Sequence, residues 1–163
     1  MTSTTDHDRA RRHACACPCG EARFEIRARP FARLYCHCLI CQRIYGAPFA
    51  DVSVLWPRDL MPASPERVKT ARYRKPPALD RSTCLACGRP VHGVLAFGPL
   101  RAFAFVPTAN LVSVDAPAPV AHIFYHRRVA DIDDSLPKYS GYWRSEIATT
   151  MMLIRRGIAA NPR

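Results

Sequence analysis

Three short cysteine clusters, CACPCG at 15–20, CHCLIC at 36–41 and CLACG at 84–88, constrain this chain more than any other feature. Cysteines one or two residues apart sit too close for comfortable disulfide geometry, yet each pair can chelate one ion. Eight cysteines so arranged point to metal or thiol chemistry in a reducing compartment, not to a disulfide framework. Cys17, Cys19, Cys84 and Cys87 together supply four thiolates, enough to close a tetrahedral zinc site and staple two remote segments. The expected role is structural, because in a small β domain the binding energy of such an ion becomes folding energy. Gly20 and Gly88 follow the two halves, where glycine permits the φ that turns backbone amides back towards the sulfurs.

Cys36, Cys38 and Cys41 then remain as a three-thiolate set. Three protein ligands and one vacancy form the pattern of a catalytic zinc, so the fourth position reads as the place of an incoming ligand. The sequence leaves alternatives open: Cys15 closing the site, a histidine among His92, His122 and His126 closing it, or three empty thiols. Cys15 otherwise reads as a spare thiol near a flexible end. A thiol that meets an open thiolate-bound zinc loses its proton and stays nucleophilic at neutral pH, and the carbonyl of a small aldehyde is its natural electrophile. His37, between two ligands, is the nearest candidate to protonate the developing alkoxide. Arg43 and Arg33 flank the cluster and are candidates to bind a substrate carboxylate or offset the thiolate charge. A solvent-facing histidine and ordinary surface arginines are the plain alternatives.

With 163 residues and an apolar fraction of 48%, one ordered domain is the expectation. Fifteen prolines favour short strands and turns over long helices. EARFEIRAR, from Glu21 to Arg29, alternates as a half-buried strand. CQRIYG reads as a helical turn closed by Gly46, and FADVSVLW as a strand ended by Pro57. Loop is expected from Pro57 to Pro77, with one short strand at RVKTARY. VHGVLAFG, LRAFAFV, NLVSV and AHIFYHRR then follow as short apolar runs divided by Gly, Pro or Asn, the spacing of an antiparallel β-sandwich or open barrel. From Tyr142 the period becomes helical, with Trp143, Ile147, Met151 and Ile154 on one stripe and Gly157 as the stop. That stripe is expected to pack on its own domain; a homodimer contact or a membrane-surface role is the alternative. The organisation expected is a flexible segment at 1–14, a zinc-binding β domain at 15–141 and a helical tail at 142–163.

No export signal is read at the N-terminus and no apolar run reaches the roughly 18 residues of a membrane span, so a cytoplasmic protein is expected. The net charge of +11 attracts anions without selecting one, and no aromatic-interleaved basic stripe accompanies it, which disfavours nucleic acid as the partner.

The chain resembles the glutathione-dependent formaldehyde-activating enzyme family, which includes centromere protein V. The matching pieces are C-P-C-G at Cys17 to Gly20, C-H-C-x-x-C-Q-R-x-x-G-A-P-F from Cys36 to Phe49, C-x-x-C-G at Cys84 to Gly88, A-H-I-F at Ala121 to Phe124 and D-S-L-P-K-Y at Asp134 to Tyr139. The resemblance implies a mainly β, Mss4-like fold pinned by two zinc ions, one structural and one catalytic and able to be lost. It also implies a carbon-sulfur lyase acting on an adduct of a small-molecule thiol such as glutathione with formaldehyde. Thr83 replaces the aromatic usual before C-x-x-C-G, no tryptophan stands at Val129 or Ala130, and the tail beyond Tyr142 has no placed counterpart. The competing class is a non-catalytic module in which zinc builds a basic platform for nucleic acid or protein. A thiol redox enzyme of the methionine sulfoxide reductase kind is set aside, since it needs a cysteine well beyond Cys87.

Overall fold

The structure, a computed structural model, describes residues 12–75 and 78–160. Its ten strands form two sheets without closing into a barrel. The smaller, in the order β1-β2-β5, joins β1 (His13–Ala16), β2 (Arg23–Ile26) and β5 (Leu60–Met61). The larger takes β3 (Ala32–Cys36), β4 (Ala50–Leu55), β6 (Val68–Arg72), β7 (Ala78–Cys84), β8 (Pro90–Phe97), β9 (Leu100–Pro107) and β10 (Ala121–Ile123) in the order β10-β3-β4-β9-β8-β7-β6. Among the strand pairs of the described residues only β10–β3 is parallel. Among the described residues two α-helices accompany the sheets, α1 (Leu39–Tyr45) and α2 (Tyr142–Ala160).

Alternation along the strands gives the large sheet two apolar faces. One, with Leu55, Val91, Ala104 and Val106, packs against Phe24, Ile26 and Leu60 of the small sheet. The other, with Leu34, Val52, Val54 and Phe103, carries Cys36 and Cys41 and is covered by Leu153 of α2. The two cysteine clusters therefore sit at two separate cores.

Several sequence expectations change here. Residues 1–11 lie outside the described ones, but His13 and Ala14, expected to be loose, begin β1, and Cys15 is buried in the first core. NLVSV forms no strand: Asn110 ends a 3-10 turn, and Leu111 makes one isolated bridge to Cys15. β3 and β7 were not anticipated. The expected loop from Pro57 contains β5, and the strand at RVKTARY is β6; Pro76 and Pro77 lie outside the described residues.

The largest correction concerns α2. Gly157 does not stop it, and the stripe expected to pack is exposed, with Trp143 at 73% and Ile147 at 58%. Ser145, Leu153 and Gly157 face inward instead. Gly157 passes directly over Trp56, where an added Cβ would lie 2.5 Å from the indole Cζ2, so a residue without a side chain allows the approach. Ser145 accepts the Phe124 amide at 2.9 Å and donates to the Tyr139 carbonyl at 3.0 Å, tying the helix to the turn after β10.

Between the layers, His92 is buried, with Nε2 accepting the Ala63 amide at 3.2 Å and its ring edge-on to Phe24. Burial lowers its pKa to about 4. The unfolded chain binds the proton near pH 6.5 and the folded chain resists it, so stability present above that pH is lost as pH falls towards 4, by about 3 kcal/mol. His92→Gln keeps an acceptor for Ala63 and is expected to reduce that loss in urea titrations across pH 7 to 4; an unchanged pH dependence would contradict this role.

Candidate metal centres

Cys17 and Cys19 lie in the turn between β1 and β2, and Cys84 and Cys87 in the turn from β7 to β8. The two turns are built alike. Gly20 (φ 78°) returns its amide to the Cys17 carbonyl at 2.9 Å, and Gly88 (φ 69°) returns its own to the Cys84 carbonyl at 2.8 Å. Positive φ at both is the reason for glycine. The glycine amides thus close the turns, while the Ala22 amide donates to a sulfur, Cys17 Sγ at 3.3 Å.

The four Sγ atoms lie within 4.8 Å of one another, with Cys17–Cys19 at 3.4 Å and Cys19–Cys84 at 3.7 Å. An ion with zinc–sulfur bonds of about 2.3 Å holds its sulfurs roughly 3.8 Å apart. The quartet fits a tetrahedral dication.

Cys36 ends β3, Cys38 caps α1 and Cys41 stands one turn in, its amide donating to Cys38 Sγ at 3.4 Å. Gly46, in the left-handed conformation, stops α1 with its amide on the Gln42 carbonyl. Gln42 donates to the His37 carbonyl at 2.6 Å and the Arg127 carbonyl at 2.7 Å, locking the cysteine loop to the turn after β10. The three sulfurs again lie within 4.8 Å of one another. Among the described residues no fourth cysteine, histidine or carboxylate joins them: Cys15 is in the other core, where burial pushes its thiol up to about 12. Without a cation the trio cannot ionise fully. Hydrogen bonding from Cys36 and then Cys41 holds Cys38 down at about 2, while its bonds to Cys38 and Cys41, with burial, raise Cys36 well above an ordinary thiol. Three inward sulfurs with opposed proton affinities are a donor set that a dication completes.

His37 does not face this space. It is 1% exposed and its Nε2 meets His122 Nδ1 at 2.9 Å, among the rings of Phe49 and Tyr125. His122 Nε2 meets Asp134 at 2.8 Å, and Asp134 pairs with Lys138 at 2.6 Å. With its Nε2–H given to the carboxylate, His122 accepts from His37. Burial, ahead of the neighbouring His122 and Arg128, lowers the His37 pKa to about 4. Lys138, ahead of His122, brings Asp134 to about 2. The row ties the Asp134–Tyr139 segment and β10 to the cysteine loop.

The flanking arginines are also placed elsewhere. Arg33 makes a two-pronged pair with Asp51 at 2.8 and 2.6 Å, and Arg43 is exposed on α1. The arginine near the sulfurs is Arg81 of β7, its guanidinium 3.9 Å from Cys41 Sγ. Arg81 and Tyr45 line a cavity of about 420 Å³ whose walls include Cys36, Cys38 and Cys41. No spacing in the sequence signals Arg81, because five strands of the large sheet, from β3 to β7, bring it there.

A family model described as glutathione-dependent formaldehyde-activating enzyme matches residues 12–127. Among solved structures, a crystal structure of a Rhodobacter sphaeroides protein is similar at 23% identity with a TM-score of 0.50, over 63% of this chain and 90% of that one. That likeness concerns the fold alone. No curated protein matches the chain.

Proposed function

This chain belongs to the glutathione-dependent formaldehyde-activating enzyme family, and from that premise we propose that it is a zinc-dependent carbon-sulfur lyase acting on adducts of a glutathione-type thiol with an aldehyde. The observation that carries this reading is a trio of sulfurs in a cavity wall with no fourth protein ligand among the described residues. The Cys17, Cys19, Cys84 and Cys87 site is read as structural and the Cys36, Cys38 and Cys41 site as catalytic. Zinc held by the trio would supply Lewis acidity and keep an incoming thiol as its thiolate.

In the adduct-forming direction the thiol sulfur bonds to the carbonyl carbon, the C=O π pair moves to oxygen, and that oxygen takes a proton; cleavage reverses each movement. Three thiolates exceed the charge of a dication by one, and Arg81 opposes that excess beside Cys41. Tyr45, which lines the cavity, is read as the group that exchanges a proton with the alkoxide. His37 serves as a positioning residue, holding the Cys36–Cys38 loop through His122.

Cobalt provides the test. In the cobalt-loaded protein, glutathione is expected to add a sulfur to the three-cysteine site, changing its visible absorption in proportion to thiol added. A spectrum that millimolar glutathione leaves unmoved would overturn the assignment.

A further inference from the structure

The cavity beside the three sulfurs has more apolar wall than a one-carbon aldehyde, or the charged and amide-rich glutathione half of its adduct, would complement. At about 420 Å³ it lies in the range that encloses an organic ligand of ordinary size, whereas formaldehyde occupies on the order of one or two water volumes, each about 30 Å³. Its lining is mostly apolar. Leu79, Leu95, Phe103 and Phe105 project from one face of β7, β8 and β9, and Ile123 of β10 and Leu153 of α2 join them. Leu39, 53% exposed, lines it as well.

Two features show that this room is built into the fold. Gly93 lies on the same sheet face, paired with Arg81 and Phe105, where every neighbour carries a large side chain. Its backbone needs no glycine: an added Cβ would meet Asp80, Leu79 and Arg81 at 3.5–3.6 Å, ordinary contact. Glycine inside a strand weakens it and often marks the close approach of a ligand. The second feature is the roof. Tyr142, Glu146, Thr149 and Thr150 of α2 line the cavity, and α2 lies beyond the residues that the family model matches. Glu146 and Tyr142 are clasped by Arg74 from the segment between β6 and β7, which holds the helix across the opening.

We propose that the aldehyde half of the adduct carries an apolar aryl or alkyl group of roughly six to ten carbons, a size suited to the usual ligand cavity, seated beneath α2 and over Gly93. This deepens the lyase reading and rests on it. The reacting carbonyl lies at the Cys41 and Arg81 end, and the apolar group fills the space between β8 and α2.

The test uses the zinc-loaded full chain and primary alcohols from ethanol to octanol, which carry the alkyl group without the carbonyl. Calorimetric affinity is expected to rise about threefold to fourfold per added methylene until the cavity is full. Gly93→Val, which adds an isopropyl group to the cavity, is expected to weaken octanol binding at least tenfold without lowering the melting midpoint. Leu95→Trp fills the same face from another position and decides the matter if Gly93→Val does not fold. An affinity flat along the series, or octanol binding kept by both filled variants, overturns the proposal. Turnover of glutathione adducts of formaldehyde, butanal and octanal is measured in parallel, with kcat/KM expected to rise in that order. If the alcohols follow the series and no adduct is turned over, the lyase reading fails and the apolar ligand site stands. If the formaldehyde adduct is turned over and the octanal adduct is not, the proposal fails and the lyase reading stands.

Discussion

Cys84→Ser is expected to cost the fold about 5 kcal/mol or more, lowering the melting midpoint by 10–20 °C or preventing recovery of folded protein. The effect is large because Cys84 does three things at once. It ends β7, it is buried in the core beside Val91 and Phe24, and its sulfur stands with those of Cys17, Cys19 and Cys87. Serine there leaves three thiolates around a dication and a hydroxyl in an apolar core, and the turn between β1 and β2 loses its tie to the turn between β7 and β8. Domains of this size have stabilities of only about 5–15 kcal/mol. A strong chelator acting on the wild type should reproduce the loss. Circular dichroism melts with zinc assay check it; a variant that melts with the wild type would show that this quartet is not structural.

Cys41→Ser is expected to do the opposite: keep the fold, lose one of two zinc equivalents, and lower kcat/KM by about a thousandfold or more, as removing the ion removes the Lewis acid and the held nucleophile together. Serine is nearly isosteric with cysteine, and α1 keeps its Cys38 cap, its Gly46 stop and the Gln42 bonds to His37 and Arg127. The measurement is metal content per chain beside adduct turnover and the melting midpoint. Both zinc equivalents and full turnover in the variant would remove the trio from the chemistry. Together the two substitutions separate the sites, one acting on stability and the other on reaction.

The row His37–His122–Asp134–Lys138 shows how motifs separated in sequence combine. A-H-I-F and D-S-L-P-K-Y stand apart along the chain, yet His122 lies next to Lys138 in a parallel bridge and Ile123 next to Cys36. Their chemistry was legible as residue types, and their partnership was not, because pairing between strands leaves no local mark. His37 illustrates the same point in reverse. Its position between two ligands suggested a catalytic face, but the alternation that turns Cys36 towards the cavity is followed by a histidine turned into an aromatic cage.

The missed strands have local causes. β3 alternates in burial along its length, but ARLYC is short, follows a proline and runs into the cysteine cluster. β7, ALDRSTC, reads as polar because only part of it meets core, while Arg81 and Leu79 face the cavity. In α2 the period was right and the face was reversed. Apart from Leu153 the inward side is made of small and polar residues, because it spans a cavity and crosses Trp56, so amphipathicity points away from the contact.

What the amino-acid sequence determined by itself was chemistry at short range: which cysteines stand one or two residues apart as candidate chelating pairs, where glycine must turn the chain, and a β-rich fold. These follow from spacing, since atoms a few residues apart have little freedom to be elsewhere. Only the tertiary structure decided that Arg81 and not Arg33 stands by the sulfurs, that His37 is enclosed, and that α2 roofs an apolar cavity over Gly93. Those facts depend on strand order and on the packing of remote faces, which short-range spacing does not encode.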